Sequence, residues 1–280
     1  MAVAPGKCEL SSIQRNCPIL LMRGSAYQPN IVMGAGVNQW ERTMSHRVPF
    51  TPGDLTDHQL GTDDILSGDP TNNILIGDAG GSMFDHSRGG NDTFTESGAA
   101  AYTFYGDAVG GIFDFAQGGD DTFTATFAGF FQSSTTAYGD AGGDMSDHSK
   151  GGNDTFTGAG LSVNTFYGDA GGSMSGHAQG GDDICAGGTV TIFYGDAGGD
   201  MFDHAQGGND HLTGGGGQGA NQFYGDAGGN MSENARGGDD HFTGGGLFSG
   251  NTFYGDAGGN MSGHAHGGDD FFTGGDGPLH

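Results

Sequence analysis

The sequence predicts an all-β protein that folds as a parallel β-solenoid, in which the chain winds through successive stacked coils. One motif occurs seven times: Gly-Asp-Ala, then usually Met, commonly His, and then Gly-Gly-Asn/Asp-Asp. The second aspartate follows the first by 14 residues in every copy, whereas the next copy begins after a further 13 to 19 residues. A constant half and a variable half indicate coils that are constrained on one side and carry loops on the other.

The composition supports repeat architecture rather than a conventional globular core. Glycine accounts for 62 of the 280 residues, and only 34% of the chain is hydrophobic. The glycines recur in register with Phe, Tyr and Met, so they are expected to form the same tight turns in each coil. We therefore expect one elongated domain with little helix.

The N-terminal region differs from the repeats, and the predicted organisation is an N-terminal cap or extended arm over residues 1–60 and a repeat solenoid over residues 61–280. Residues 1–60 contain Trp40, Cys8 and Cys17, and five of the eight basic residues. The apolar run at residues 18–22 is too short for a signal-peptide core or a membrane span. An arm of this kind would favour homo-assembly by docking on a neighbouring acidic solenoid. The redox compartment stays open.

Three columns of equivalent residues are predicted to form the interior, in about seven coils preceded by a partial one that begins near Asp64. Apolar replacements within the columns agree with packing, and Met and aromatic residues suit a narrow core. The first column is Leu75, Phe104, Ala137, Phe166, Phe193, Phe223 and Phe253. The second is Met83, Ile112, Met145, Met174, Met201, Met231 and Met261. The third is Leu66, Phe94, Phe123, Phe156, Cys185, Leu212, Phe242 and Phe272.

The charge distribution argues against several classes of partner. Residues 61–280 contain 3 basic and 30 acidic residues, and the whole chain has a formal net charge of −26. Such a surface repels phosphate backbones and anionic lipids, so nucleic acid and membrane binding are not expected. It should attract cations.

Two rows of aspartates are the candidate metal ligands. Equivalent residues in stacked parallel coils lie about 4.8 Å apart, so ionised rows would repel each other unless divalent cations lay between the coils. Carboxylate, amide and glycine carbonyl oxygens favour Ca²⁺ over Mg²⁺. The first row is Asp78, Asp107, Asp140, Asp169, Asp196, Asp226 and Asp256. The second row is Asp64, Asp92, Asp121, Asp154, Asp183, Asp210, Asp240 and Asp270.

The segments at residues 90–95, 152–158 and 208–214 resemble the calcium-binding nonapeptides of haemolysin-type RTX proteins, which read G-G-x-G-x-D-x-U-x. The resemblance covers about residues 61–275. It implies a β-roll in which the second row and turn carbonyls bind Ca²⁺ between coils, with the third column at the apolar U position. RTX coils use about 18 residues, two nonapeptides, whereas the coil here needs 27 to 33. The first row therefore falls at the family's second glycine, and a widened two-sided roll and a three-sided β-helix both stay open.

Two further rows could bind ligands or only pack. A tyrosine row follows the first core column and could stack on sugars or form a packed ladder: Tyr105, Tyr138, Tyr167, Tyr194, Tyr224 and Tyr254. A histidine row could bind a second metal or form a stacked ladder, with Phe115 and Asn234 as interruptions: His86, His148, His177, His204 and His264.

The expected function is that of a non-enzymatic, calcium-binding structural protein that folds on Ca²⁺ and acts as a surface, matrix or assembly subunit. A catalytic pair would need one coil unlike its neighbours, and only residues 110–134 are irregular. A carbohydrate-active enzyme or carbohydrate-binding module, with polysaccharide as its partner, is the alternative. Ice binding through the threonines at Thr93, Thr122 and Thr155 is third. The RTX resemblance implies an extracellular or cell-surface location reached by type I-like bacterial export.

Overall fold

The protein is an all-β parallel solenoid. The computed structural model describes the backbone of residues 30–33 and residues 51–68, 73–96, 101–125, 134–158, 163–216, 219–246 and 250–274. Every regular element in these ranges is a β-strand, and no helix that could span a membrane occurs within them. The strands form two parallel sheets of eight strands each, which confirms the predicted fold class.

The strands alternate between the sheets, so that two successive strands make one coil. The first sheet contains β1 (Asn30–Met33), β3 (Asn73–Ile76), β5 (Ala101–Tyr105), β7 (Ser134–Tyr138), β9 (Val163–Tyr167), β11 (Val190–Tyr194), β13 (Ala220–Tyr224) and β15 (Gly250–Tyr254). The second contains β2 (Ile65–Ser67), β4 (Thr93–Thr95), β6 (Thr122–Thr124), β8 (Thr155–Thr157), β10 (Ile184–Ala186), β12 (His211–Thr213), β14 (His241–Thr243) and β16 (Phe271–Thr273).

Side chains alternate between the interior and the surface along each strand, as the period of two in a β-strand requires. In β9, Asn164 and Phe166 point inward, whereas Val163, Thr165 and Tyr167 face outward. In the short strands of the second sheet from β2 to β14 only the central residue is buried, whereas all three residues of β16 are exposed. Equivalent residues pair directly from coil to coil, for example Phe193 with Phe166.

The third part of each coil contains no regular strand in the described residues. Rows of isolated parallel bridges connect it to its neighbours, including Ala141 to Ala170, Met145 to Met174 and Lys150 to Gln179. A three-sided β-helix would place a third strand around Met174, and only a bridge is present there. The coil thus has two sheets and a bridged third segment, which resolves the choice between two and three strand-bearing sides.

The three predicted core columns are buried in two clusters, except for their members in the last coil, Phe253, Met261 and Phe272. The Met column lies with the alanines of the Gly-Asp-Ala turns and a further small-residue column. The other two columns pack together, and rings in successive coils stack with centroids about one strand spacing apart, for example 4.8 Å between Phe123 and Phe156. Cys185 is a buried free thiol in this second cluster. Stacking of identical side chains explains how a chain with so few apolar residues forms a continuous interior.

Pairing between coils begins ahead of residue 61. Thr51 bridges Ala79 and Leu55 bridges Met83, so residues 51–68 form the partial first coil. Strand β1 pairs in parallel with β3 and is the first-sheet strand of that same coil, since residues 51–68 stack on the coil that contains β3. Cys8, Cys17 and Trp40 lie outside the described residues.

Candidate metal centre: two buried aspartate rows

The second aspartate row joins each coil to the one before it. Each carboxylate accepts a hydrogen bond at Oδ1 from the backbone N–H of the equivalent aspartate in the preceding coil. The N–H of Asp121 donates to Asp154 Oδ1 at 2.6 Å, and that of Asp154 donates to Asp183 Oδ1 at 2.6 Å. The same bond recurs in every coil from Asp64 to Asp270. The row is therefore one uninterrupted ladder along the solenoid.

The other oxygen of the six inner second-row carboxylates is buried without a hydrogen-bond partner. This holds for Oδ2 of Asp92, Asp121, Asp154, Asp183, Asp210 and Asp240. Each of these oxygens lies over the Gly-Asp-Ala glycine of its own coil, beside the carbonyl oxygen of the corresponding glycine in the next coil. At Gly168, for example, an added Cβ would overlap both Asp183 Oδ2 and the Gly195 carbonyl. Only glycine leaves this space open, and the space is lined by two oxygens, of which the carboxylate Oδ2 has no hydrogen-bond partner.

The first aspartate row joins the two ends of the Gly-Asp-Ala to Gly-Gly segment within one coil. Each carboxylate accepts from the N–H of the second glycine, 12 residues later, as in Gly181 to Asp169 at 2.9 Å and Gly208 to Asp196 at 2.7 Å. This contact explains the constant spacing of the motif. A second oxygen is buried and unpartnered in Asp107, Asp169, Asp196 and Asp226.

Both rows are buried along most of the solenoid, and only the terminal members Asp64, Asp256 and Asp270 are partly exposed. Burial raises the pKa of Asp92 to about 9, and repulsion from Asp78 adds to it. Burial likewise raises the pKa of Asp240 to about 8 and that of Asp140 to about 7.

The remaining fully buried members of both rows also have pKa values well above the ordinary value. Burial is the main cause, and repulsion from neighbouring aspartates is the second, as in Asp107 and Asp183. No Lys or Arg ion pair with these carboxylates occurs among the described residues. Each carboxyl must therefore hold a proton or face a cation to be stable in this interior.

The arrangement brings the two rows together within each coil. Repulsion from Asp121 is the largest charge effect on Asp107, and repulsion from Asp183 is the largest on Asp169. Across the described part of the chain, no three His, Cys, Asp or Glu side chains form a metal-binding group. A cation here would thus use one or two carboxylates together with glycine carbonyls, which are the oxygen ligands that suit Ca²⁺.

Sequence reasoning missed a third row, which lies on the surface next to the second. Its members are Asp63, Asn91, Asp120, Asn153, Asp182, Asn209, Asp239 and Asp269. Each side chain accepts from the backbone N–H of the next member, for example Asp182 N–H to Asn153 Oδ1 at 2.7 Å. Asp and Asn alternate over seven coils, which separates like charges. The alternation is readable in the sequence at the position before each second-row aspartate.

The tyrosine row is a packed ladder. Successive rings from Tyr105 to Tyr254 are stacked with centroids 4.8–4.9 Å apart and planes within 11° of parallel. The rings from Tyr105 to Tyr224 also lie against a glycine of the next coil, as Tyr138 does against Gly171. The faces of the internal rings are therefore occupied, and their edges face outward.

The histidine row is stacked in the same way. The ladder runs from His58 through His86, Phe115, His148 and His177 to His204 with centroid separations of 4.8–5.1 Å. Zn²⁺ bound by two imidazoles needs nitrogens about 2.0–2.1 Å from the ion, and parallel rings one strand spacing apart do not converge in this way. The ladder as built is a stacking arrangement.

Comparison of the chain with protein-family models, with curated proteins and with solved structures finds no match. The resemblance to RTX repeats consequently rests on the quoted motifs and on the fold. At that coarser level the chain is a parallel β-solenoid with large coils, in which buried aspartates bind the backbone of glycine-rich turns.

Proposed function

We propose that the protein is a calcium-binding structural solenoid, in which Ca²⁺ ions bind between coils at the two buried aspartate rows. Ion binding would stabilise the fold, and the rigid rod would act as an extracellular surface, matrix or assembly subunit. The observation that carries the proposal is the contrast between the buried and the exposed rows.

The exposed third row replaces Asp by Asn in alternate coils, whereas both buried rows contain Asp in every coil. Burial should favour the opposite distribution, because an uncompensated buried carboxylate is far more costly than an exposed one. Asparagine would also satisfy the local geometry better than a carboxylate. Its oxygen would accept the same N–H, and its amide would donate to the glycine carbonyl that faces Asp183 Oδ2. The retention of Asp in every coil is explained if the buried oxygens bind a cation.

The ligands would come from successive coils. One set would be Asp183 and the first-row Asp169 of one coil with the Gly195 carbonyl of the next, and equivalent residues would repeat the set along the rod. Bound Ca²⁺ would supply the positive charge that offsets carboxylate repulsion. Because the ion would contact two coils, binding would be linked to folding.

A non-enzymatic role is supported by the uniformity of the coils. Among the described residues the two aspartate rows recur at each level, so these rows give no coil a distinct acid and base. Sugar stacking on the tyrosine row has less support, because a sugar needs a free ring face and neighbouring tyrosines occupy the internal faces.

Ice binding keeps one specific supporting observation. The outer face of the second sheet has two threonines per coil in β4, β6 and β8, and its second column, interrupted by Ala186, resumes with Thr213, Thr243 and Thr273. A thermal-hysteresis assay would test this role. A thermal-hysteresis gap that the double change Thr124→Leu and Thr157→Leu abolishes would support it, and no hysteresis would refute it.

Calcium binding is tested by titrating chelator-stripped protein at pH 7.5 with Ca²⁺, with Mg²⁺ as the control ion. Calorimetry would give the stoichiometry, and circular dichroism would report folding. We expect several sites per chain and a gain of β-signal with Ca²⁺ alone.

Two adjacent variants provide a matched pair for the same titration. Asp183→Asn removes a buried carboxylate, and Asp182→Asn removes the neighbouring exposed one. The buried variant should reduce the Ca²⁺ stoichiometry, and the exposed variant should leave it unchanged. A wild-type protein that binds no Ca²⁺ in this titration would refute the proposal.

A further inference from the structure

The C-terminal end of the solenoid exposes the ends of its core columns. Met261 is 43% exposed and Phe272 is 49% exposed, although the equivalent residues one coil earlier, Met231 and Phe242, are fully buried. Phe253 is only partly buried. Strands β15 and β16 are the last strands of their sheets, so their outer edges have no partner strand among the described residues. An apolar sheet end of this kind is a template for a further strand.

The opposite end is covered. Leu55 and Leu66 in the partial first coil are 3% and 2% exposed. Strand β1 pairs in parallel with β3 there and is the first-sheet strand of the same coil. The two ends of the described solenoid therefore differ, because the core residues are exposed at the C-terminal end and buried at the N-terminal end.

The segment before β1 has the chemistry that the open end requires. It contains the apolar run Ile19–Met22 and the basic residues Lys7, Arg15 and Arg23. The last coil contains Asp256, Asp269 and Asp270 and no Lys or Arg. The apolar run therefore suits the exposed core columns, and the flanking charges are opposite to those of the coil end.

This segment cannot reach the open end of its own solenoid. Strand β1 is the first and β15 the eighth strand of the first sheet, and seven spacings of about 4.8 Å place them roughly 34 Å apart. Only residues 23–29 connect Met22 to β1. At about 3.5 Å per residue, this connection spans roughly 25 Å when fully extended. The occupant must come from a second copy.

We propose that residues 1–29 of one copy bind the open end of a second copy, with Ile19–Met22 adding a strand beside β15 and covering Met261 and Phe272. Repetition of this contact gives a head-to-tail chain of solenoids. The inference rests on the assembly role proposed above and names its partner as another copy of the chain. It does not depend on which residues bind calcium.

The test is a complementation experiment on the full-length chain, read by light scattering during size-exclusion chromatography and by sedimentation. The arm variant carries Leu20→Asp and Leu21→Asp, and the end variant carries Phe272→Asp. Ile184→Asp changes a half-exposed apolar residue in the middle of the rod and is the matched control. Far-UV circular dichroism verifies the fold of each protein, and Met261→Asp replaces Phe272→Asp if that variant does not fold.

Wild-type protein and the Ile184→Asp control should form concentration-dependent oligomers, which weaken at high salt. The arm and end variants should each associate at least about 10-fold more weakly. An equimolar mixture of the two should form a heterodimer of twice the monomer mass, since the arm variant retains a good end and the end variant retains a good arm.

Three results would overturn the inference. Wild-type protein that stays monomeric at all concentrations would exclude assembly. An arm variant that assembles normally would show that the contact forms between coil ends and does not need residues 1–29. A mixture that stays monomeric would exclude a head-to-tail contact. Assembly of a protein that does not bind Ca²⁺ would support this inference and refute the calcium proposal. Failure of one proposal can therefore be distinguished from failure of the other.

Discussion

Replacement of the buried Asp240 by asparagine is the sharpest test of why the aspartate rows are carboxylates. Asp240 accepts from the Asp210 N–H at 2.8 Å through Oδ1, and its Oδ2 is buried and unpartnered beside the Gly255 carbonyl. Asp240→Asn keeps the acceptor, removes the ionisable group and adds an amide that can donate to that carbonyl. In chelated protein the change should therefore be stabilising.

The magnitude follows from the pKa of this group. Burial raises the pKa of Asp240 from 3.8 to about 8, so at pH 7 the folded carboxyl retains a proton that the unfolded carboxyl has lost. At about 1.36 kcal/mol per pH unit, the interval between 3.8 and pH 7 corresponds to roughly 4 kcal/mol against folding. Asparagine does not ionise and avoids this cost. We therefore expect Asp240→Asn to raise the free energy of unfolding by about 2–4 kcal/mol at pH 7 and by almost nothing at pH 3.

The assay is urea unfolding of chelated protein at pH 3, 5 and 7, followed by the same measurement in Ca²⁺. Asp239→Asn is the control, because Asp239 is exposed and its oxygen accepts from the Asp269 N–H at 2.7 Å, a bond that asparagine retains. In Ca²⁺ the order should reverse, since Asp240→Asn loses a cation ligand. Equal effects of the two variants, or a loss of stability in chelated Asp240→Asn at pH 7, would refute the reasoning.

Three further predictions concern the whole array. Chelated wild-type protein should be most stable at acid pH: the raised pKa of groups such as Asp92 gives stability that is present below 3.8 and lost as the pH rises through about 7 to 9. Thermal unfolding at pH 4, 6 and 8 checks this, and a chelated protein most stable at pH 8 would contradict it. Gly168→Ala should destabilise by about 3 kcal/mol or more, since its Cβ would overlap a carbonyl and a carboxylate, whereas Gly250→Ala, in open space, should be nearly neutral. Comparable melting temperatures for the two variants would contradict the inference that only glycine fits beside the buried carboxylate oxygen and the neighbouring carbonyl. Asn153→Asp creates three consecutive exposed acids and should cost about 1 kcal/mol or less at low salt, measured as a loss in urea midpoint that high salt abolishes.

The sequence by itself determined the solenoid, its interior columns and the two aspartate rows. These features could be predicted because each coil meets the same environment, so every residue type is repeated wherever packing requires it. The interval of 14 residues likewise reflects a local contact, the hydrogen bond from Gly181 to Asp169 within a single coil. The continuation of the apolar columns through Ile112 and Leu75 made their burial predictable for the same reason.

Only the tertiary structure decided how each carboxylate is used. Asp154 binds a backbone N–H of the preceding coil while its second oxygen lies in a space that glycine leaves open, and neither partner is near it in the sequence. The same applies to the tyrosine row, whose ring faces are occupied only because neighbouring coils stack in register. The open C-terminal end also depends on stacking, since Phe272 differs from Phe242 in having no coil beyond it among the described residues. Local sequence specifies what each coil contains, and contacts between coils specify which of its oxygens and ring faces are left free.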